Sequence, residues 1–244
     1  MARLGERGPY RGFDHMEPAN HFFEGHSHFD LAMTAHPDVK AKFYPMITER
    51  GQNTASAGET GAVQVWPMDV PRDLYHTDWV ADRTLAWLGE QGQSPWFCWM
   101  SFPDPHHPWD VPRSELHRVN WRNLDLPSAY LEGDEARRVL ATKPKHWLGY
   151  YEASLWSNLE SPRDYVPANM TADQVREINA MTHIENELID EACQRVIDYL
   201  KAQDLYDHTD IFFTTDHGEL QGDYGLMFKG PYHVGALMRL PFIW

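Results

Sequence analysis

Between Thr171 and Gly218 the chain spells a long amphipathic helix and then, after a short loop, an apolar strand. That succession restricts the fold more than any other feature. Thr171-Ala172-Asp173-Gln174 has the form of a capping box, in which the threonine hydroxyl and the glutamine amide each satisfy a backbone N–H of the first turn. Ile184, Leu188, Ala192, Val196 and Leu200 recur every four residues, and Ile178, Met181, Ile189 and Ile197 widen them into a core-facing band. Glu185, Glu187, Asp190 and Glu191 fall on what this pattern predicts to be the solvated face. Ile211-Phe212-Phe213-Thr214-Thr215 then reads as a buried strand. A helix feeding a strand is the unit from which parallel sheets are built.

That strand halts at Asp216-His217-Gly218-Glu219. In open α/β sheets ligands gather beyond the carboxyl ends of the strands. Asp216 and His217 there offer one hard oxygen and one nitrogen to a divalent metal, and Gly218 is expected to free the backbone so that both can turn toward one point. Lys229, in Phe228-Lys229-Gly230-Pro231, can act as a point charge for an anion. The plainer alternative is a strand followed by a polar turn.

A second junction repeats the arrangement. Pro95-Trp96-Phe97-Cys98-Trp99-Met100-Ser101-Phe102 has strand length and composition, and it breaks into Pro103-Asp104-Pro105-His106-His107-Pro108-Trp109-Asp110-Val111-Pro112. Four prolines in these ten residues stiffen the loop. Its histidines are therefore preorganised for proton donation or an anion contact, unless they are simply solvated. Upstream, Gly61-Ala62-Val63-Gln64-Val65-Trp66 is a short strand candidate. Thr77 is placed to cap a helix running through Trp79, Val80, Leu85 and Leu88 to Gly89 or Gly92. His15, His21, His26, His28 and His36 are scattered over a polar start, and the His26-Ser27-His28 spacing alone is a weak metal signal. Lys143 to Tyr151 mixes cations with aromatics, suited either to a substrate's organic part or to packing.

At 244 residues, with 42% hydrophobic and 13% aromatic content, the chain can bury a sizeable core. A formal net charge of −15 disfavours nucleic acid and anionic membranes as partners. An anionic substrate therefore requires a locally positive site. No apolar run approaches the roughly 20 residues of a membrane-spanning helix; no signal peptide appears at the start, but a start read as truncated makes this uninformative and leaves the compartment undetermined. Cys98 and Cys193 read as small buried hydrophobes rather than a disulfide framework.

Taken in order, Gly12-Phe13-Asp14, the Ser101 to Pro112 loop, the helix through Asp190, Thr214 to Gly218, and Phe228 to Pro231 leading into Arg239-Leu240-Pro241 resemble a sulfatase of the alkaline phosphatase superfamily. The resemblance implies an α/β fold, a three-layer α/β/α sandwich around a mostly parallel central sheet. It implies hydrolysis of small-molecule or carbohydrate sulfate esters. By the same resemblance, Asp216 and His217 hold the divalent metal, with Ca2+ as the leading candidate and Mn2+ compatible. His106 contacts the sulfate or protonates the leaving oxygen, Lys229 contacts the sulfate, and His233 follows it near the pocket. Val234-Gly235 departs from the Tyr-Glu that related sulfatases often carry there.

The family's C-x-P-S-R or S-x-P-S-R segment, whose Cys or Ser becomes formylglycine, does not occur in these residues. Formylglycine and a first pair of aspartate ligands are expected upstream. Residues 1–244 accordingly read as a single incomplete catalytic domain, cut at both ends and inactive in isolation. A phosphodiesterase or phosphonate monoester hydrolase on the same scaffold, or a non-catalytic remnant, are the alternatives.

Overall fold

The computed structural model describes residues 5–21, 25, 27–45, 47–48, 51–92, 94–154, 161–162 and 164–244. Its helices are α1 (His28–Met33), α2 (Pro37–Lys40), α3 (His76–Glu90), α4 (Gly133–Leu140), α5 (Lys145–Tyr151), α6 (Ala172–Ala202) and α7 (Gly235–Met238). Its strands are β1 (Ile47–Thr48), β2 (Gly51–Gln52), β3 (Phe213–Thr214), β4 (Leu220–Gln221), β5 (Met227–Phe228) and β6 (Phe242–Ile243). They divide between two units. The first contains Met1–Met46, Trp66–Val119 and Met181–His208; the second contains Ile47–Val65, Asn120–Ala180 and Thr209–Trp244.

Helix α6 begins as its sequence directs. The Thr171 N–H donates to Gln174 Oε1 at 3.0 Å and the Gln174 N–H donates to Thr171 Oγ1 at 3.2 Å, which closes the capping box. Ile178, Met181, Ile184, Leu188, Ile189, Ala192 and Leu200 are buried, whereas Val196 and Ile197 are half-buried. Glu177 turns its carboxylate onto the loop at 59–60 of the second unit, accepting from the Glu59 N–H at 2.6 Å and the Thr60 N–H at 2.9 Å. One expectation fails on this helix. Glu187 and Asp190 are exposed, but Glu185 is fully buried, because it lies one position beyond Ile184 on the widened apolar band.

Thr77 does not cap α3. The helix already begins at His76, the Thr77 hydroxyl donates instead to Asp104, and no side chain caps the first turn.

In the first unit, two segments run side by side without becoming a regular sheet. The Trp66 N–H donates to the Trp109 carbonyl at 2.9 Å, the Met68 N–H to Val111 at 2.9 Å, and the Arg113 N–H to Met68 at 2.7 Å, around a parallel bridge between Met68 and Pro112. Trp109 and Val111 are thereby fully buried. The expected strands at 61–66 and 96–102 are not strands, and Phe97 and Trp99 are exposed rather than core residues. Among the described residues each sheet is a two-stranded antiparallel ladder. The apolar run at 211–215 contributes only β3 to one of these. It pairs Phe213 with Ile243 and Thr214 with Phe242, and its aromatics are exposed, not buried as the sequence predicts. Both cysteines are free and half-buried, so neither is the core residue expected.

Charged side chains fasten the segment after Pro112 to the helices of the first unit. Arg72 reaches Asp78 at 2.7 Å, Glu115 at 3.2 Å and Glu191 at 3.1 Å. Arg118 reaches Glu115 and Glu191, each at 2.7 Å. Burial alone would raise the Glu115 pKa, but hydrogen bonds from Arg118 and Ser114 and the charge of Arg72 hold it below the usual range. A depressed folded pKa contributes stability above the unfolded value of about 4.3, lost as pH falls through the folded one. Glu115→Gln should therefore lower the melting temperature near neutrality, and the gap should shrink toward pH ~3. Thermal melts at the two pH values check this, and a gap constant with pH would contradict it.

Candidate functional site

Asp104 anchors the proline-rich loop of the first unit. Its buried carboxylate accepts from the Tyr75 hydroxyl at 2.8 Å and from the Thr77 hydroxyl, and it pairs with His76 Nε2 at 2.5 Å. Tyr75, His76 and Thr77 form the entry into α3, so one carboxylate ties the loop to a helix start. Burial pushes the Asp104 pKa up, but the charge and hydrogen bond of His76 outweigh this and hold it low. Burial likewise opposes a charged His76, while Asp104 raises its pKa. The pair is ionic.

Around this pair the other groups are driven toward neutrality. Burial pushes Asp110 up to about 7. Burial, reinforced by the charges of Asp104 and Asp110, pushes Glu185 well above the carboxylate range. Burial and the charge of His76 lower His21 to about 3. The Asp110 N–H donates to Glu185 Oε1 at 3.2 Å, joining the loop to α6.

His106, two residues beyond Asp104, is half-buried. Its ring stacks on His107 with centroids 4.1 Å apart and lies 5.3 Å from that of His21. Nδ1 sits 2.5 Å from the His107 carbonyl. That contact assigns the proton to Nδ1 and leaves Nε2 as the nitrogen that exchanges one.

In the second unit, Asp216 and His217 lie just beyond β3. His217 Nδ1 donates to the Gly218 carbonyl at 2.9 Å, which leaves Nε2 as the ring nitrogen with a lone pair. Nε2 lies 3.5 Å from Asp216 Oδ2, while Asp216 Oδ1 accepts from the His217 N–H at 2.8 Å. The Asp216 side chain is 81% exposed, so it can still meet further ligands. A carboxylate oxygen and an imidazole nitrogen at this spacing fit two neighbouring positions of a divalent ion.

Gly218 serves this turn for a reason other than backbone freedom, since its φ is not in the left-handed region. It runs against α7: its N–H donates to the Leu237 carbonyl at 3.1 Å, and an added Cβ would stand 1.8 Å from the Ala236 carbonyl oxygen. Gly218→Ala should force the two segments apart and cost about 1–3 kcal/mol. A thermal melt unchanged by the substitution would contradict that.

Beyond Gly218 the chain enters the β4–β5 hairpin, registered with Leu220 opposite Phe228 and Gln221 opposite Met227. Lys229 directly follows Phe228 at the end of β5, and Asp216 to Glu219 lead directly into β4. Phe228, fully buried against Tyr165, has φ 66°, a strained value for a bulky residue immediately before Lys229. Tyr232 packs against Trp147 and Tyr150, and His146 Nε2 lies 3.1 Å from the Pro231 carbonyl. The aromatics of α5 therefore pack against the segment after Lys229. His233 is exposed just before α7. His106 belongs to the first unit, and Asp216, His217, Lys229 and His233 belong to the second. His26 lies outside the described residues, and His28 is buried with Nε2 at 2.7 Å from the Glu6 carbonyl.

The family model described as Sulfatase matches residues 16–244. The chain belongs to the sulfatase family. Among its relatives is the multifunctional alkaline phosphatase superfamily protein PehA of Trinickia caryophylli, 25% identical over 179 residues, which are 72% of this chain and 34% of PehA. An arylsulfatase of Clostridium perfringens is also 25% identical over 179 residues, covering 72% of this chain and 33% of that protein. The solved phosphonate monoester hydrolase of Agrobacterium radiobacter superposes with a TM-score of 0.71 at 22% identity, covering 96% of this chain and 44% of that one. These likenesses give this sulfatase-family chain an α/β fold. It spans about a third of the length of the curated relatives it matches. No helix among its described residues is long and apolar enough to cross a membrane.

His21, His76, Asp110 and Glu185 were not legible as site residues from the sequence. They converge across spacings of tens of residues, and only Asp110 sits within the proline-rich loop itself.

Proposed function

We propose that this region belongs to a metal-dependent hydrolase of sulfate esters, built on a three-layer α/β/α sandwich with a mostly parallel sheet. The observation that carries the reading is the Asp216–His217 pair, with its carboxylate oxygen and imidazole lone pair 3.5 Å apart beside the hairpin bearing Lys229. Asp216 and His217 would supply part of the coordination of a divalent metal, Ca2+ or Mn2+, the rest coming from upstream aspartates. Such an ion polarises an ester oxygen and offsets negative charge there.

Lys229 places an ammonium against the non-bridging oxygens of the ester, where charge must be offset as the bond breaks. The strained Phe228 backbone before it supports a functional presentation of that lysine. His106, as the imidazolium with its Nδ1–H held on the His107 carbonyl, would donate the Nε2 proton to the departing oxygen and be left neutral. His233 would contact the organic part of a small or carbohydrate ester. Formylglycine, expected upstream, would be the nucleophile.

Asp216→Ala in the full-length enzyme should remove the bound metal, measured as metal per protein by elemental analysis. Unchanged stoichiometry would take Asp216 off the ligand set. The sulfate reading itself is tested by comparing turnover of an aryl sulfate with that of an aryl phosphonate monoester and a phosphate diester. Faster hydrolysis of either phosphorus ester would favour the phosphonate monoester hydrolase reading, the activity for which the solved structural relative is named.

A further inference from the structure

We propose that His21, His76, Asp104 and Asp110 form a second, buried metal site that takes a zinc-class divalent cation. The site draws no ligand from the Asp216–His217 pair and does not depend on the sulfatase reading. One ligand atom from each of the four residues lies within 4.8 Å of every other, and all four residues are buried. A tetrahedral zinc with bonds of about 2.0–2.1 Å holds its ligand atoms roughly 3.3 Å apart. A pair at the 4.8 Å limit must therefore draw in by about 1.5 Å, while the direct His76–Asp104 contact of 2.5 Å opens.

Charge is the second argument. Asp104, Asp110 and Glu185 are three carboxylates in one dry region, and among the described residues no lysine or arginine pairs with any of them. Asp110 Oδ1 and Glu185 Oε2 are buried without a hydrogen bond. Native interiors rarely strand acceptors in this way without a proton, a water or an ion to meet them. Glu185 stands behind the four, bonded to the Asp110 backbone, where it holds a ligand-bearing loop in place.

The donor set selects the cation. Calcium and magnesium take oxygen ligands, whereas two imidazoles with two carboxylates suit zinc and its neighbours. Four protein ligands close the shell, so the ion is structural rather than catalytic. Its effect would be to pin the loop that carries His106 to the start of α3.

The test loads the metal-free 244-residue chain with Co2+ and separately follows its melting temperature against Zn2+ concentration. The expected result is the intense visible d–d absorption of tetrahedral cobalt and a melting temperature that rises with zinc. His21→Ala and Asp110→Asn should weaken binding by more than the roughly 10–100-fold that outer-shell partners carry. Asp216→Ala should leave it intact. His21 makes no hydrogen bond to the Asp104 network, so its removal tests the site without dismantling that network. Absence of both the cobalt bands and the zinc-dependent shift in the parent chain would overturn the proposal, leaving protons to neutralise the carboxylates. Bands lost in Asp216→Ala but retained in His21→Ala would overturn it equally.

Discussion

Asp104→Ala should destabilise the protein by about 3–5 kcal/mol, the usual result of breaking a buried ion pair by removing one partner. Three groups lose their acceptor at once: the Tyr75 hydroxyl, the Thr77 hydroxyl and the His76 imidazole, whose pKa the carboxylate raises. The first two are fully buried and His76 very nearly so, which leaves water little opportunity to replace the carboxylate. At about 2–4 °C per kcal/mol for a chain of this size, the melting temperature should fall by about 10 °C. Asp104→Asn keeps the shape and one acceptor oxygen but turns an amide toward at least one donor, so it should fall between. Urea denaturation of the three proteins is the measurement. A loss below about 1 kcal/mol for Asp104→Ala would mean the network is solvated in solution.

His106→Ala, made in the full-length enzyme, should lower kcat on sulfate esters about 10²–10⁴-fold, the range of a positioned general acid. The size should depend on the leaving group. An aryl sulfate releasing a stable phenolate needs little help from a proton, so its deficit should be small. An alkyl sulfate releasing a basic alkoxide should show most of the loss. Equal deficits on both would assign His106 to contacting the sulfate instead. The two roles separate because charge offset acts on the transferred group and proton donation acts on the departing oxygen.

The sequence was readable where the physics is local. The capping box at Thr171 and Gln174, the apolar face of α6 and the extent of α3 follow from bonds and periodicities within a few residues, and the structure contains them. Glu185 was not legible, because periodicity tells how wide an apolar band is but not what the covering loop brings to its edge. Thr77 was assigned the capping role its residue type favours, and a carboxylate 27 residues away in the chain claimed its hydroxyl instead. The runs at 96–102 and 211–215 have the composition of core strands, yet composition cannot supply the partners that would bury them.

On the β3–β6 ribbon the unburied aromatics gather against one another. Phe212 stacks on Trp244 with centroids 5.6 Å apart and leans on Phe242 at 6.0 Å. Trp244 is 80% exposed and Phe242 68%. An exposed aromatic ribbon of this kind is adhesive toward its own copies. Long-range repulsion opposes that adhesion in solution, supplied here by a formal net charge of −15. Salt screens the repulsion, and sulfate or phosphate salts also strengthen apolar contact. Concentrated preparations should therefore stay clear in dilute buffer and turn cloudy as ionic strength climbs, a colloidal behaviour written in a few aromatic rings.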